Sequence, residues 1–134
     1  QTINRGKLGK IVFSDEALLA ELNKIIHPRV KSHIVSEIAK ERAYHRTDLF
    51  VVEAALLIED HYDVVCDELW YIHTDEEVRG KRLKEARGYD DEKIASICAN
   101  QKSPAEFRSA CQVVIDNSGD LADTYRQIEE QLGR

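Results

Sequence analysis

The stretch LFVVEAALLIED, residues 49–60, decides how the chain is organised. It is short, continuous and rich in β-branched and aromatic residues at its start, a pattern that suits a strand covered on both faces. A helix is the competing reading of any short apolar run, but the chain upstream is already helical in pattern and its character changes at Leu49. One carboxylate, Glu53, interrupts the run. An unpaired buried charge is costly, so Glu53 reads as a paired or edge-solvated residue in mid-strand. Glu59, past the strand end, is the better functional candidate.

Two similar runs follow, DELWYIHT (67–74) and CQVVIDN (111–117). Between and after them lie helical patterns. DEEVRGKRLKEAR (75–87) turns from acidic to basic, and DDEKIASICANQ (90–101) sets Ile94, Ile97 and Cys98 on one side. SPAEFRSAC (103–111) opens with a Ser103 cap and Pro104 at the first helical position. SGDLADTYRQIEEQL (118–132) puts Leu121, Tyr125, Ile128 and Leu132 on one stripe. Strands alternating with helices predict an α/β fold with a parallel sheet of three strands, 49–57, 67–74 and 111–117.

Residues 3–46 read as a separate helical block. SDEALLAELNKII (14–26) begins at a Ser14 or Asp15 cap, and Leu18, Leu19, Leu22, Ile25 and Ile26 follow helical spacing. Pro28 sits where a second helix could begin, carrying Val30, Ile34 and Ile38 every four residues. The segment INRGKLGKIVF (3–13) carries two glycines, which weaken its helical pattern.

A length of 134 residues suits one domain, and 43% hydrophobic with 33% charged residues describes a globular chain. The net charge of −6 argues against nonspecific binding to nucleic acid or to an anionic membrane. No apolar run reaches the ~20 residues of a membrane helix. The three cysteines, Cys66, Cys98 and Cys111, are widely spaced and read as small buried apolar residues in a reducing, cytoplasmic setting. The histidines show no metal-ligand spacing.

Ligands of open α/β sheets bind beyond the carboxyl ends of the strands, here 57–60, 73–75 and 116–119. The helix after the second strand carries Arg79, Lys81, Arg82, Lys84 and Arg87. It is either a solvated charged face or an arginine-bearing lid whose planar forks clamp phosphate oxygens. His27, before Pro28 at a helix junction, either bonds a backbone carbonyl or serves a site.

Taken in order, INRGKLGKIVFSD…LLAELNKIIHPRV, VVEAALLIE, DELWYIHTDEEVRGKRL, ICANQ and VVIDNSG resemble the dephospho-CoA kinases. The resemblance spans essentially the whole chain from Ile3. Each motif alone is loose; their order and spacing make the set specific. The departures are Ala55 where the family usually has Pro, Ile58 where it often has Phe, and Cys111-Gln112 where it usually has Ala-Asp. The second lid arginine is expected four residues after Arg82. That slot is Ala86, and Arg87 stands one place on.

The resemblance implies the parallel sheet of a P-loop kinase, with 1–47 a helical dephospho-CoA-binding block, 48–78 and 109–134 part of the nucleotide-binding core, and 79–108 a helical lid. It implies ATP-dependent phosphorylation of the ribose 3′-hydroxyl of dephospho-CoA. Arg82 and Arg87 would clamp phosphates, Asn117 and Ser118 would lie beside the adenine, Arg5, Lys7, His27 and Glu59 would serve the acceptor, and Gln101 would brace the lid or contact the substrate. No G-x-x-x-x-G-K-[ST] occurs in the chain, so ATP and Mg²⁺ would be held mainly by a segment N-terminal to Gln1. The strand of that segment would lie between 49–57 and 68–74. The 134 residues are therefore expected to be a fragment, inactive alone, whose sheet is completed by a second copy or a separate N-terminal segment. The alternatives are a non-catalytic CoA- or nucleotide-binding module and another nucleoside-monophosphate-type kinase.

Overall fold

The computed structural model describes residues 3–12, 14–54, 56–99 and 101–133. Phe13, Ala55 and Asn100, which fall within stretches read above, lie outside the described residues. The chain divides into two units, Gln1–Val65 and Cys66–Arg134.

In the first unit, α1 (Arg5–Val12) packs on α2 (Glu16–Tyr44). Asp15 caps α2, its Oδ1 accepting from the N–H groups of Ala17 and Leu18 at 2.9 and 3.2 Å, as the acidic start led us to expect. His45 ends it in a left-handed conformation (φ 48°) and donates its N–H to the Glu41 carbonyl. Pro28 starts no new helix; it lies inside α2, which runs on through it. A proline there removes one helical hydrogen bond and crowds the carbonyl four residues back. The strong helix formers on both sides, among them Ala17, Leu18, Leu22, Lys24, Lys31, Glu37 and Lys40, oppose that break.

Among the described residues of 49–57, the expected strand is not formed. Residues 49–54 are neither helix nor strand, and 56–61 form turns that lead into a single 3-10 turn, Tyr62–Val64. A strand exists only through its ladder partner, and the sheet of the described residues holds two strands, not three. Val51 is accordingly 74% exposed. Glu53 is exposed too, so it is a solvated carboxylate. The end of the run is anchored nonetheless. Lys31 Nζ, on α2, donates to the carbonyls of Asp60 and His61 and lies 5.3 Å from the centre of the Tyr62 ring. Tyr62 is only 2% exposed.

The second unit is α/β. β1 (Trp70–His73) and β2 (Val113–Asp116) pair in parallel, with Trp70 opposite Val113 and His73 opposite Asp116. The crossover between them holds α3 (Glu76–Arg87), α4 (Asp91–Ala99) and α5 (Pro104–Ala110). Ser103 and Glu106 form a reciprocal capping box at α5, with Pro104 inside its first turn. Leu69, Val113 and Ile115 are buried, and Tyr71 stacks on Phe107 of α5 with ring centres 4.9 Å apart.

α6 (Leu121–Leu132) packs on β2. The stripe of Leu121, Tyr125 and Leu132 is exposed, while Thr124 is buried and Gln127, Ile128 and Gln131 are half-buried. Two polar anchors set this rotation. The Gln127 amide accepts from the Asp116 N–H and donates to the Asp116 carbonyl, both at 2.8 Å. The Thr124 hydroxyl donates to Asn117 Oδ1 at 3.1 Å. Cys66, Cys98 and Cys111 are half-buried, more accessible than their apolar reading suggested.

Candidate functional site

The carboxyl ends of β1 and β2 are knotted together by side chains from both following loops. Ser118 is the centre. Its Oγ accepts from the Asp75 N–H at 2.9 Å, and its own N–H donates to Asp116 Oδ1 at 2.9 Å. The Ser118 hydroxyl also bonds the Asp116 carboxylate, and these two bonds hold that carboxyl below its ordinary range, side chain first and backbone second. His73 across the ladder and Arg108 add smaller attractions. Asp116 can therefore stay ionised at the mouth of the sheet while it fixes the 116–119 turn.

Asp75 precedes α3 but does not cap it with its side chain. Its Oδ1 lies 3.2 Å from His73 Nε2 instead, and His73 Nδ1 lies 3.2 Å from the Tyr71 hydroxyl. An imidazole carrying its proton on Nε2 satisfies both contacts, donating to Asp75 and accepting from Tyr71.

From α3, Arg82 reaches over this turn. Its Nη1 donates to the Asn117 carbonyl at 2.6 Å and its Nη2 to the Gly119 carbonyl at 3.0 Å. Arg82, Asn117 and Ser118, three residues singled out from sequence, are thus brought together. The exposed guanidinium is a group able to pair with an anion, while the backbone carbonyls and the ionised carboxylate beside it offer acceptors to a ligand's donor groups. Arg87 stands exposed in the last turn of α3, before Gly88, whose φ of 65° suits a glycine C-cap. Gln101, past the end of α4, accepts from Arg79 Nη1 at 3.1 Å.

In the other unit, His27 Nδ1 on α2 lies 3.4 Å from Asp60 Oδ1, and Glu59 is exposed in the adjoining turn. Arg5 and Lys7 are exposed on α1, where the Lys7 N–H is bonded by Asn4 Oδ1 at 3.0 Å. His27, Glu59 and Asp60 form one local group. Arg5 and Lys7 share a helix that packs on α2.

Sequence reading gave no role to Thr124, Lys31 or Tyr71; it placed His73, Asp75 and Asp116 only as strand ends and Arg79 only among the charges of the helix after the second strand. Asp116-Asn117-Ser118 carried a usable signal. An Asp two residues before a Ser is a turn in which the carboxylate accepts the later N–H. The reach of Arg79 and Lys31 depends on tertiary packing and left no local mark.

A family model of dephospho-CoA kinase matches residues 1–123. The chain is similar to the dephospho-CoA kinase of Latilactobacillus sakei, with 34% identity over 130 residues covering 97% of this chain and 64% of the relative. It is 39% identical over 127 residues to that of Carboxydothermus hydrogenoformans, covering 94% and 61%. Its fold is similar to the crystal structure of TT1252 from Thermus thermophilus, with a TM-score of 0.78 and 25% identity over 97% of this chain and 66% of that one. The chain spans somewhat under two thirds of the length of these curated relatives. Motif order, fold and family match agree, and the chain belongs to the dephospho-CoA kinase family.

Proposed function

We propose that these residues belong to an enzyme that transfers the γ-phosphoryl group of ATP to the ribose 3′-hydroxyl of dephospho-CoA, giving coenzyme A and ADP. The observation that carries this reading is the junction of Arg82 with the Asn117–Gly119 turn at the carboxyl ends of the strands, where an open α/β sheet takes its ligand.

We assign 79–108 to the lid, 48–78 and 109–134 to the nucleotide-binding core, and 1–47 to acceptor binding. Asn117 and Ser118 border the adenine. Arg82 and Arg87 meet the phosphates. In the transfer, the acceptor oxygen forms a bond to the γ-phosphorus as the bond to the ADP oxygen breaks. Negative charge spreads over the phosphoryl oxygens, and arginines fixed on a rigid helix stabilise it without reorganising. Arg82 already points its fork at acceptors, so exchanging carbonyl for phosphoryl oxygens needs only a change of partner. Arg5, Lys7, His27 and Glu59 serve the acceptor, whose diphosphate the two cations of α1 and an imidazole suit. Gln101 contacts substrate from the lid.

ATP is a substrate, and Mg²⁺ neutralises its phosphates when bound. Among the described residues no three His, Cys, Asp or Glu side chains converge as metal ligands, so no step is assigned to a metal held here. The 134 residues contain no G-x-x-x-x-G-K-[ST] sequence. We therefore assign the phosphate cradle and the general base to the part of the relatives' length that these residues do not span. On that reading the 134 residues alone do not turn over. The expected result is ATP-dependent CoA formation by a full-length form and none by these residues alone. Turnover by the 134 residues would overturn the assignment of the cradle. A full-length form that binds CoA but makes none would favour a non-catalytic binding module instead.

A further inference from the structure

We infer that Arg79 is a positioning residue that fixes the polarity of the Gln101 amide, so that Gln101 offers its –NH₂ as a donor to an oxyanion such as a phosphoryl oxygen. This rests on the lid reading of 79–108. Arg79 lies half-buried on α3 and spans to the end of α4. Its Nη1 donates to Gln101 Oε1 at 3.1 Å, and its Nη2 donates to Cys98 Sγ at 2.8 Å. A guanidinium has donors and no acceptor, so the amide atom facing it is the oxygen, and the –NH₂ of the exposed Gln101 is left for other partners. Without Arg79 the amide could turn over and present its oxygen, which repels a phosphoryl group.

A second observation marks the arginine as more than packing. Its Nε is buried and meets no acceptor among the described residues. A buried unpaired N–H is expensive, and an aliphatic side chain would cover the α3–α4 seam without it. What an aliphatic residue cannot supply is a two-pronged donor that holds the sulfur of α4 and the amide beyond it in one geometry. Arg79 and Arg82 stand three residues apart on α3, so one helix carries both the residue that grips the 117–119 turn and the one that orients Gln101.

The test uses the full-length chain, isotopically labelled, with Arg79→Met, Arg79→Lys, Gln101→Ala and the double variant R79M/Q101A. In R79M the Gln101 side-chain carbonyl and –NH₂ NMR signals are expected to shift; ADP is expected to move the –NH₂ signals in the unsubstituted chain and to leave them unmoved in R79M. R79K, which retains a donor, is expected to keep both and to serve where R79M does not fold. In CoA formation, R79M and Q101A should each lower kcat by about tenfold, the reach of one lost charge-directed hydrogen bond. KM should change little, and the double variant should lose no more than Q101A. Gln101 signals indifferent to R79M, or losses that multiply in the double variant, would overturn the inference. Absence of CoA formation in the unsubstituted chain would instead sink the functional reading, and the Gln101 signals would still decide the role of Arg79.

Discussion

Arg82 offers a test in which structure and catalysis predict different magnitudes. In the fold, Arg82→Ala removes two hydrogen bonds, to the Asn117 carbonyl at 2.6 Å and the Gly119 carbonyl at 3.0 Å. The side chain is exposed, so water replaces the lost donors and the net loss is about 1 kcal/mol. For a domain of this size that lowers Tm by roughly 3–5 °C. In the proposed reaction the same guanidinium stabilises charge that develops in the transition state. Removing one such donor costs about 3–4 kcal/mol, or about 10²–10³ in kcat. Arg82→Lys retains the charge but cannot make two parallel bonds, so roughly a tenth of the activity should remain. The assay is initial-rate CoA formation by the full-length chain with both substrates saturating, beside a thermal melt. A kcat loss below about fivefold in R82A, with the small Tm change seen, would refute the clamp. Arg82 would then be a brace for the turn.

Other perturbations follow from the same contacts. Ile115 is 1% exposed in β2, so Ile115→Ala should destabilise the chain by about 3–4 kcal/mol in denaturant titration. Asp116 is held below its ordinary range by Ser118. A depressed carboxyl adds stability that is complete above its unfolded pKa and lost as pH falls through the folded value. In Ser118→Ala the Asp116 titration followed by NMR should move up toward the ordinary carboxylate range, because the hydroxyl bond that lowers it most is lost, and part of the acid-labile stability should vanish. Ser103→Ala breaks the α5 capping box and should cost about 1 kcal/mol. It should also let the Glu106 carboxyl rise part of the way toward its ordinary range, since the hydroxyl bond is lost while the residue 103 N–H bond, the larger cause of the lowering, remains, a shift readable in the same titration.

The second unit was legible because its signals are local. Ser103-Pro104 with Glu106 at the third helical position writes a capping box in four residues, and acids beside basic residues bounded α3 closely. The two apolar runs that became β1 and β2 carry enough Val, Ile, Trp and Tyr to specify strands, and each finds the other as partner. The first unit was legible only as helix. Pro28 looked like a boundary because proline's local cost is large, but a 29-residue helix sums many small favourable terms against it. The run at 49–57 had the composition of a strand without the partner that makes one. Composition reports what a segment would bury; it cannot report whether a ladder is present to bury it.

The same distinction separates the site residues that sequence revealed from those it did not. Arg82, Asn117 and Ser118 were readable because they sit at strand ends and on the next helix, positions whose chemistry the α/β fold constrains. Their coupling was not. It comes from Ser118 accepting the Asp75 N–H, Gln127 holding both backbone groups of Asp116, and Thr124 fastening Asn117. Each of these links joins residues seven or more apart in sequence and fixes the turn to which Arg82 is bonded. Without them the turn's carbonyls would wander, and a guanidinium cannot be pre-aimed at acceptors that move. The rigidity that electrostatic catalysis requires is therefore supplied here by neutral polar side chains behind the site. The visible charges depend on it.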